Sequence, residues 1–194
     1  MKKIIFLIPV YNDWDSLNKL LNKIDFHIAN IKEFTFNCII INDSSTENMP
    51  EIKKLPNLNF LKVLHMKKNK GHARSNAFGL RYIFQNEDFN YVVLMDGDGE
   101  DRPEELKSLV EKLKENPNSS VVAKRVKRSE GFFFQSLYQL HKLITFIFTG
   151  QNINFGNYSI LTRSDVEKLH SKASLWSSFS GSVKKNLKSL NEIN

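Results

Sequence analysis

The sequence predicts an α/β protein with a mainly parallel sheet that is covered by helices on both faces. Three observations support this fold class. Short apolar runs, typical of buried strands, recur along the chain. Segments with apolar residues at spacings of three and four, typical of helices, lie between these runs. Polar residues follow directly after most of the runs, as expected where parallel strands end at a ligand-binding edge.

The first half of the chain alternates strands with helices. A continuous apolar run predicts a first strand at 3–9, and the leucine and isoleucine spacing of 13–31 predicts a helix. Two further apolar runs predict strands at 36–43 and 59–66. The segment 71–84 is compatible with a second helix. The order strand, helix, strand, strand, helix favours strands that lie side by side in one sheet.

The second half begins with a predicted strand at 91–96. Pro103 suits the first turn of a helix, and a fifth strand is predicted at 119–125. No linker or repeat divides the 194 residues, so we expect a single domain over 1–194. One face of the helix after Pro103 is apolar and consists of Leu106, Leu109, Val110 and Leu113.

The composition favours an anionic partner in a reducing compartment. The formal charge is +7, which suits a nucleotide, a nucleic acid or a membrane surface. The single cysteine, Cys38, cannot form a disulfide within the chain, and its apolar neighbours predict a buried thiol rather than a reactive one. The N-terminal apolar run ends at Pro9 and lacks a small-residue cleavage site, so it indicates a strand rather than a signal peptide.

A group of carboxylates directly follows the fourth strand. Asp96 and Asp98 are separated by a glycine, and Glu100 and Asp101 come next. Closely spaced carboxylates repel one another unless a cation lies between them, and their oxygens suit Mg²⁺ or Mn²⁺. An acidic turn that caps the following helix accounts for the same residues equally well. The segment alone therefore leaves a metal site and a helix cap open.

An EF-hand loop and a phosphatase nucleophile account for this acidic segment less well. An EF-hand loop that began at Asp96 would need glycine at its sixth position and glutamate at its twelfth, where this chain has Asp101 and Lys107. A phosphatase would also place a nucleophilic aspartate after a strand, but no supporting set of residues is visible. We therefore keep the metal site and the helix cap.

Polar residues also follow the first three strands. The carboxyl ends of parallel strands meet at one edge of a sheet, so these residues are expected to lie near Asp96. Asp13 and Asp43 could instead cap helices. The residues concerned are Pro9, Tyr11, Asp13, Asp43, Gly71, Arg74 and Asn76.

Five motifs together resemble glycosyltransferase family 2. They are "IPVYND", "INDSS", "NKGHARSNAFG", "LMDGDGEDRPEEL" and "FGNYSILTRSDVEKL", and they cover most of 3–170 in the expected order. Within the family, the chain resembles the branch that makes polyprenyl-phosphate (dolichol-phosphate) sugars. The resemblance implies the GT-A fold, a Rossmann-like, mainly parallel sheet flanked by helices. It also implies transfer of one sugar from a nucleotide-sugar, with inversion at the anomeric carbon.

The resemblance implies roles for the polar residues. Asp96 and Asp98 would form the catalytic DxD site and hold Mg²⁺ or Mn²⁺ together with Glu100. A divalent cation would neutralise charge that grows on the leaving diphosphate. The donor-binding residues implied by the matching motifs are Pro9, Tyr11, Asp13, Asp43, Gly71, Arg74 and Asp96.

A basic cluster and an apolar segment favour a lipid-phosphate acceptor. The segment 131–149 has an apolar face with polar residues opposite, typical of an interfacial amphipathic helix or of a core-facing helix. The resemblance favours the interfacial helix, at the cytoplasmic face of a membrane. A lipid phosphate is already an anion, so it needs no general base. The cations expected to bind it are Lys124, Arg125, Arg128 and Arg163, with Lys127 in the same cluster.

The chain departs from the family pattern in two places. Asn157 and Ser159 stand where the family often has an acid and an arginine, and the chain stops before a basic segment that relatives carry. The end therefore looks shortened. Two alternatives follow: a nucleotide-sugar-binding module without turnover, and a transferase with a glycan or other hydroxyl acceptor. A nucleic-acid partner is not expected.

Overall fold

The described parts of the computed structural model, residues 1–124 and 154–193, form one seven-stranded sheet with helices on both faces. The strands are β1 (Lys2–Val10), β2 (Phe34–Asn42), β3 (Leu58–His65), β4 (Tyr91–Leu94), β5 (Ser120–Lys124), β6 (Phe155–Thr162) and β7 (Leu190–Ile193). The helices are α1 (Trp14–Ile28), α2 (His72–Asn86), α3 (Leu106–Glu115), α4 (Arg163–Leu169) and α5 (Phe179–Asn186). Short 3-10 turns at Pro103–Glu105 and Ala173–Trp176 precede α3 and α5.

The sheet is mainly parallel, which confirms the predicted fold class. The strand order is β3-β2-β1-β4-β6-β5-β7. β6 runs antiparallel to both β4 and β5, and the remaining neighbours are parallel pairs. All strands except β6 therefore end at one edge of the sheet, called here the carboxyl edge. β6 begins at that edge.

Alternate residues of the central strands point to opposite faces, and each face has its own core. Phe6 and Val93 pack against α1 and α3, whereas Leu7 and Val92 pack against α2, α4 and α5. Burying an aliphatic or aromatic side chain of this size stabilises the folded state by about 1.5–3 kcal/mol. The two cores fix the strand register, and the register fixes which side chains emerge at the carboxyl edge.

The predicted elements are present, with small differences at their ends. The first helix ends at Ile28 rather than at residue 31, and β4 ends at Leu94 although the backbone N–H of Met95 still donates to Leu7 O at 3.2 Å. Cys38 is fully buried in β2, as expected, and burial raises the pKa of its thiol well above the ordinary value. The strands β6 and β7 come in addition to the five strands assigned from sequence.

Candidate active site at the carboxyl edge

Asp96 leaves the sheet just beyond Leu94, the last residue of β4, and its carboxylate is held by two other elements. His72 Nε2, in the first turn of α2, lies 2.6 Å from Asp96 Oδ1. Asn157 Nδ2, on β6, donates to both carboxylate oxygens of Asp96 at 3.1 Å. The backbone N–H of Asp96 donates to Asp101 Oδ2 at 2.8 Å. The Asp96 side chain is 25% exposed, so a ligand can reach a carboxylate whose orientation is already fixed.

The acidic edge raises the pKa of His72. Its hydrogen bond to Asp96 raises the pKa of the imidazole, partial burial opposes the rise, and the charges of Asp96, Asp98 and Asp101 add to it. The protonated imidazole is thereby favoured next to the Asp96 carboxylate. Asn76, buried one turn further along α2, places its amide Nδ2 3.3 Å from His72 Nε2. The imidazole is therefore contacted from both the strand end and its own helix.

The two glycines of the acidic segment allow it to turn tightly against β1. A Cβ atom at Gly97 would lie 2.6 Å from the carbonyl oxygen of Pro9, so a larger residue would push β4 and β1 apart. Gly99 adopts a φ of +80°, which disfavours other residues. Within the turn, Asp98 Oδ1 accepts a hydrogen bond from the backbone N–H of Glu100 at 2.9 Å. Asp98 and Glu100 are both exposed beside Asp96.

The predicted metal ligands are neighbours in the structure, but they do not form a closed cage. Among residues 1–124 and 154–193, no group of three or more His, Cys, Asp or Glu side chains is placed to hold a metal ion. Mg²⁺ usually takes one or two carboxylates and completes its coordination with substrate phosphates and water. The partly exposed carboxylate of Asp96 and the exposed carboxylate of Asp98 fit that requirement. Glu100 belongs to the same turn and remains a predicted ligand.

Asp43 is buried and ties the end of β2 to the start of α2. Its Oδ1 accepts from the backbone N–H of Lys70 at 2.8 Å, and its Oδ2 accepts from that of Gly71 at 2.7 Å. Its own N–H donates to Val10 O at 2.9 Å. Gly71, with a φ of +83°, is the N-cap residue of α2. Asp43 therefore shapes the loop that carries His72, and its predicted contact with the donor stays a prediction.

The loop after β1 lines the carboxyl edge next to Asp43. Asp13 caps α1 by accepting from the backbone N–H of Ser16 at 3.3 Å, which is the capping role that the sequence left open. Tyr11 is 47% exposed at this edge. Asn12, which sequence reasoning missed, has a φ of 54° and accepts from the backbone N–H of Thr46 at 2.8 Å. The loops after β1 and β2 are therefore joined by hydrogen bonds.

Of the predicted acceptor cations, the structure brings Lys124 to the carboxyl edge. Lys124 is the last residue of β5, and its Nζ lies 2.7 Å from Glu192 Oε2 on β7. Its Cα partner on β6 is Phe155. Arg125, Arg128 and the segment 131–149 lie outside the described residues.

Arg74, a predicted donor-binding residue, is exposed in the first turn of α2.

The structure does not bring Arg163 to the site. Because β6 runs antiparallel, the residue that follows it lies at the opposite edge of the sheet. The backbone N–H of Arg163 donates to Asn90 O at 2.9 Å, and its guanidinium lies 4.8 Å from the ring centroid of Phe89. Both partners lie before β4. Arg163 therefore drops out of the acceptor-binding set.

A family model described as "Glycosyl transferase family 2" matches residues 5–179, which is most of the chain. The chain belongs to glycosyl transferase family 2. This confirms the family resemblance drawn from the five motifs.

Curated relatives of this family 2 chain include transferases of one kind. The undecaprenyl-phosphate 4-deoxy-4-formamido-L-arabinose transferase of Klebsiella pneumoniae (strain 342) is 26% identical in an alignment of 168 residues that covers 84% of this chain and 49% of the relative. The protein of the same name from Serratia proteamaculans (strain 568) is 26% identical in an alignment of 170 residues, with the same coverage of both chains. The chain thus spans about half the length of these relatives.

Solved structures show that the family 2 chain has the GT-A fold. S. aureus TarS 1-349 in complex with UDP-GlcNAc superposes with a TM-score of 0.66 at 18% identity and covers 100% of this chain and 56% of TarS 1-349. The mannosyltransferase PcManGT from Pyrobaculum calidifontis, in complex with GDP-Man and Mn²⁺, has a TM-score of 0.56 at 17% identity, over 86% of this chain and 46% of PcManGT. At such identities the likeness shows the fold alone.

Within the described residues, no helix combines the length and the apolar character needed to cross a bilayer.

Proposed function

We propose that this chain transfers a sugar from a nucleoside-diphosphate sugar to a polyprenyl phosphate at a membrane surface, with inversion at the anomeric carbon. The observation that carries the proposal is the oriented Asp96 carboxylate at the carboxyl edge, with Asp98 exposed in the adjoining turn. Ligands of open α/β sheets bind beyond the carboxyl ends of strands. Membership of glycosyl transferase family 2 gives the chemistry for which such an edge would serve.

The donor would lie across the ends of β1, β2 and β4. Asp96 and Asp98 would hold Mg²⁺ or Mn²⁺, which when bound would neutralise charge that develops on the departing diphosphate. The solved mannosyltransferase in complex with GDP-Man and Mn²⁺ supports this use of a divalent ion. Tyr11 is exposed, and Val10, the residue before it, accepts a hydrogen bond from the backbone N–H of Asp43. That side of the edge would bind the nucleoside.

The names of the curated relatives support a polyprenyl-phosphate acceptor. A phosphate monoester is already ionised near neutral pH, so the site needs to position it rather than to remove a proton. Lys124 lies on the β5 side of the edge, and its ammonium group forms an ion pair with Glu192. We place Lys124 on the acceptor side of the site. Arg125 and Arg128 continue this basic cluster in sequence.

A transfer assay tests the proposal directly. Undecaprenyl phosphate in detergent is incubated with radiolabelled UDP- and GDP-sugars, with Mn²⁺ or with EDTA, and lipid products are separated by chromatography. We expect a labelled lipid that forms with Mn²⁺ and not with EDTA. Labelled lipid of equal amount in EDTA would contradict the metal role. Transfer to a glycan and not to the lipid would contradict the acceptor.

A second candidate is a donor-binding module without turnover. It is favoured by Asn157 and Ser159, which stand where the family often has an acid and an arginine. Isothermal titration of the nucleotide-sugars, run beside the transfer assay, separates the two functions. Donor binding that depends on Mn²⁺ but gives no product with any acceptor would establish the module. Product formation would exclude it.

Membrane association has its own test. Anionic lipid attracts each basic residue near its surface by about 1 kcal/mol, and salt weakens this attraction. Replacing Lys124, Arg125, Lys127 and Arg128 with glutamine should therefore reduce flotation with vesicles that contain phosphatidylglycerol.

The matched control removes the same number of charges elsewhere. Glutamine replaces the four lysines Lys172, Lys184, Lys185 and Lys188, which lie near the end of the chain. We expect the control to float like the wild type. Equal losses in both variants would show a response to net charge and would contradict a specific membrane-binding cluster.

A further inference from the structure

We propose that Asn157 is a positioning residue of the donor site, whose amide fixes the orientation of the Asp96 carboxylate. The inference rests on the proposed function, because it assumes that Asp96 serves the metal and the diphosphate. It concerns a residue at which this chain departs from the pattern of its family. Asn157 acts through Asp96.

The strand register puts Asn157 opposite Asp96. β4 and β6 are antiparallel, with Leu94 paired to Ser159. Continuing this pairing by two residues on each strand brings position 96 opposite position 157. Side chains directly opposite each other in an antiparallel pair have Cβ atoms about 4.5–5.5 Å apart, close enough for an asparagine to reach a carboxylate. The contact therefore follows from the register of the sheet.

The geometry is that of a carboxylate held from two sides. Asn157 Nδ2 lies 3.1 Å from both oxygens of Asp96, so one amide nitrogen contacts the whole carboxylate. His72 Nε2 contacts Oδ1 from α2, at 2.6 Å. Rotation of the Asp96 carboxylate would break contacts with both residues. Its orientation is thus set before any ligand arrives.

Asn157 is itself held in place. Its backbone carbonyl oxygen accepts a hydrogen bond from Ser159 Oγ at 2.8 Å, and Ser159 is fully buried between β4 and β5. Ser159 is the second position at which the chain departs from the family pattern. The two departures are therefore linked in the structure, since the serine supports the strand segment that presents the amide.

The amide also matters chemically. A carboxylate in its place would face Asp96 at hydrogen-bonding distance, and two such groups share a proton or a cation rather than stay ionised together. A neutral amide orients the Asp96 carboxylate without adding a second negative charge beside it. Hydrogen-bond partners behind a metal ligand typically contribute about 10- to 100-fold to metal affinity. We assign Asn157 an effect of this size.

The test compares metal-dependent with metal-independent binding. Isothermal titration measures UDP and GDP with Mn²⁺, and UMP and GMP in EDTA, for the wild type, Asn157→Ala and the similarly sized Asn157→Leu. We expect about a 10- to 100-fold loss of Mn²⁺-dependent diphosphate affinity in both variants. Monophosphate affinity in EDTA should stay within about twofold of the wild type. Asn157→Gln, which keeps the amide, should recover part of the loss.

Matched controls separate positioning from folding. Asn86→Ala removes an exposed asparagine at the far end of α2, whose amide donates to Tyr82 O of its own helix, and it should bind like the wild type. Wild-type diphosphate affinity in Asn157→Leu would overturn the inference, as would an equal loss with Mn²⁺ and in EDTA. Absence of diphosphate binding by the wild type would instead refute the proposed function, and the inference with it.

Discussion

At the residue scale, Asp96 and Asp98 have different surroundings although they are two positions apart. Asp96 is partly buried and is contacted by two side chains from other elements, whereas Asp98 is exposed and accepts from the backbone of its own turn. Asp96 therefore offers an oriented carboxylate, and Asp98 offers a carboxylate that is open to solvent. This division fits a site that is completed by the phosphates of the donor.

The first prediction tests whether transfer depends on these two carboxylates rather than on acidic residues in general. Asp96→Asn keeps the size of the side chain and removes its charge, and Asp98→Ala removes a proposed metal ligand. Each should lower Mn²⁺-dependent transfer by orders of magnitude, because one ligand is a large fraction of so open a site. The control, Asp88→Asn, changes an exposed carboxylate before β4, at the opposite edge. Rates near the wild type in Asp98→Ala would rule out its role as a ligand.

At the element scale, the carboxyl edge is built from loops that are bonded to one another. Asp43 joins the end of β2 to the loop before α2, and Asn12 joins the loop after β1 to the loop after β2. These contacts hold the first turn of α2, and with it His72, next to the end of β4. The site therefore depends on connections between elements as much as on the residues that would touch a ligand.

The second prediction concerns Asp43. Asp43→Ala leaves the backbone N–H groups of Lys70 and Gly71 without their carboxylate, and hydrogen bonds to a charged group contribute about 1.5–3 kcal/mol each. We expect the free energy of unfolding to fall by about 3 kcal/mol in urea titrations. Asp13→Ala, which removes a helix N-cap, should cost about 1 kcal/mol.

The same variant addresses donor binding. If Asp43 also contacts the nucleoside, UMP or GMP affinity in EDTA should fall in Asp43→Ala under conditions where the variant is folded. Unchanged monophosphate affinity would confine Asp43 to its structural role in the loop.

Much of the carboxyl edge could be predicted from sequence, because ligands of parallel sheets bind at strand ends. This rule located Asp96, Asp43 and Asp13, since each follows an apolar run that becomes a parallel strand. It missed the role of Asn157 because β6 is reversed, so the amino end of this strand lies at the site. The same reversal sends Arg163 to the opposite edge. Strand direction depends on pairing across the sheet, which the local pattern of apolar residues does not encode.

At the scale of the whole molecule, a single continuous sheet separates two apolar layers. β1 lies near its centre, paired with β2 and β4, and both layers contain its side chains. Cys38 of β2 lies opposite Phe6 of β1 in the layer covered by α1 and α3. Reagents can therefore reach this thiol only if the central strands separate from their helices.

The third prediction uses Cys38 as a reporter of global unfolding. Burial raises the pKa of its thiol, so the folded state suppresses the reactive thiolate. The folded protein keeps this thiol neutral, whereas the unfolded chain can ionise it. The free energy of unfolding therefore falls as the pH rises through the ordinary thiol pKa. A disulfide reagent at about pH 8, near the ordinary thiol pKa, should label Cys38 at a rate that follows global unfolding as urea increases. Rapid labelling without urea would show local opening around β2.

In the proposed function, the donor binds at the carboxyl edge, with its metal on the carboxylates after β4. The most direct measurement is the anomalous scattering of Mn²⁺ in crystals grown with UDP or GDP. We predict a manganese peak within coordination distance of Asp96 or Asp98, with the diphosphate bound to the same ion and the nucleoside near Tyr11 and Asp43. A manganese peak elsewhere, or a diphosphate bound away from the ends of β1 and β4, would contradict this binding site.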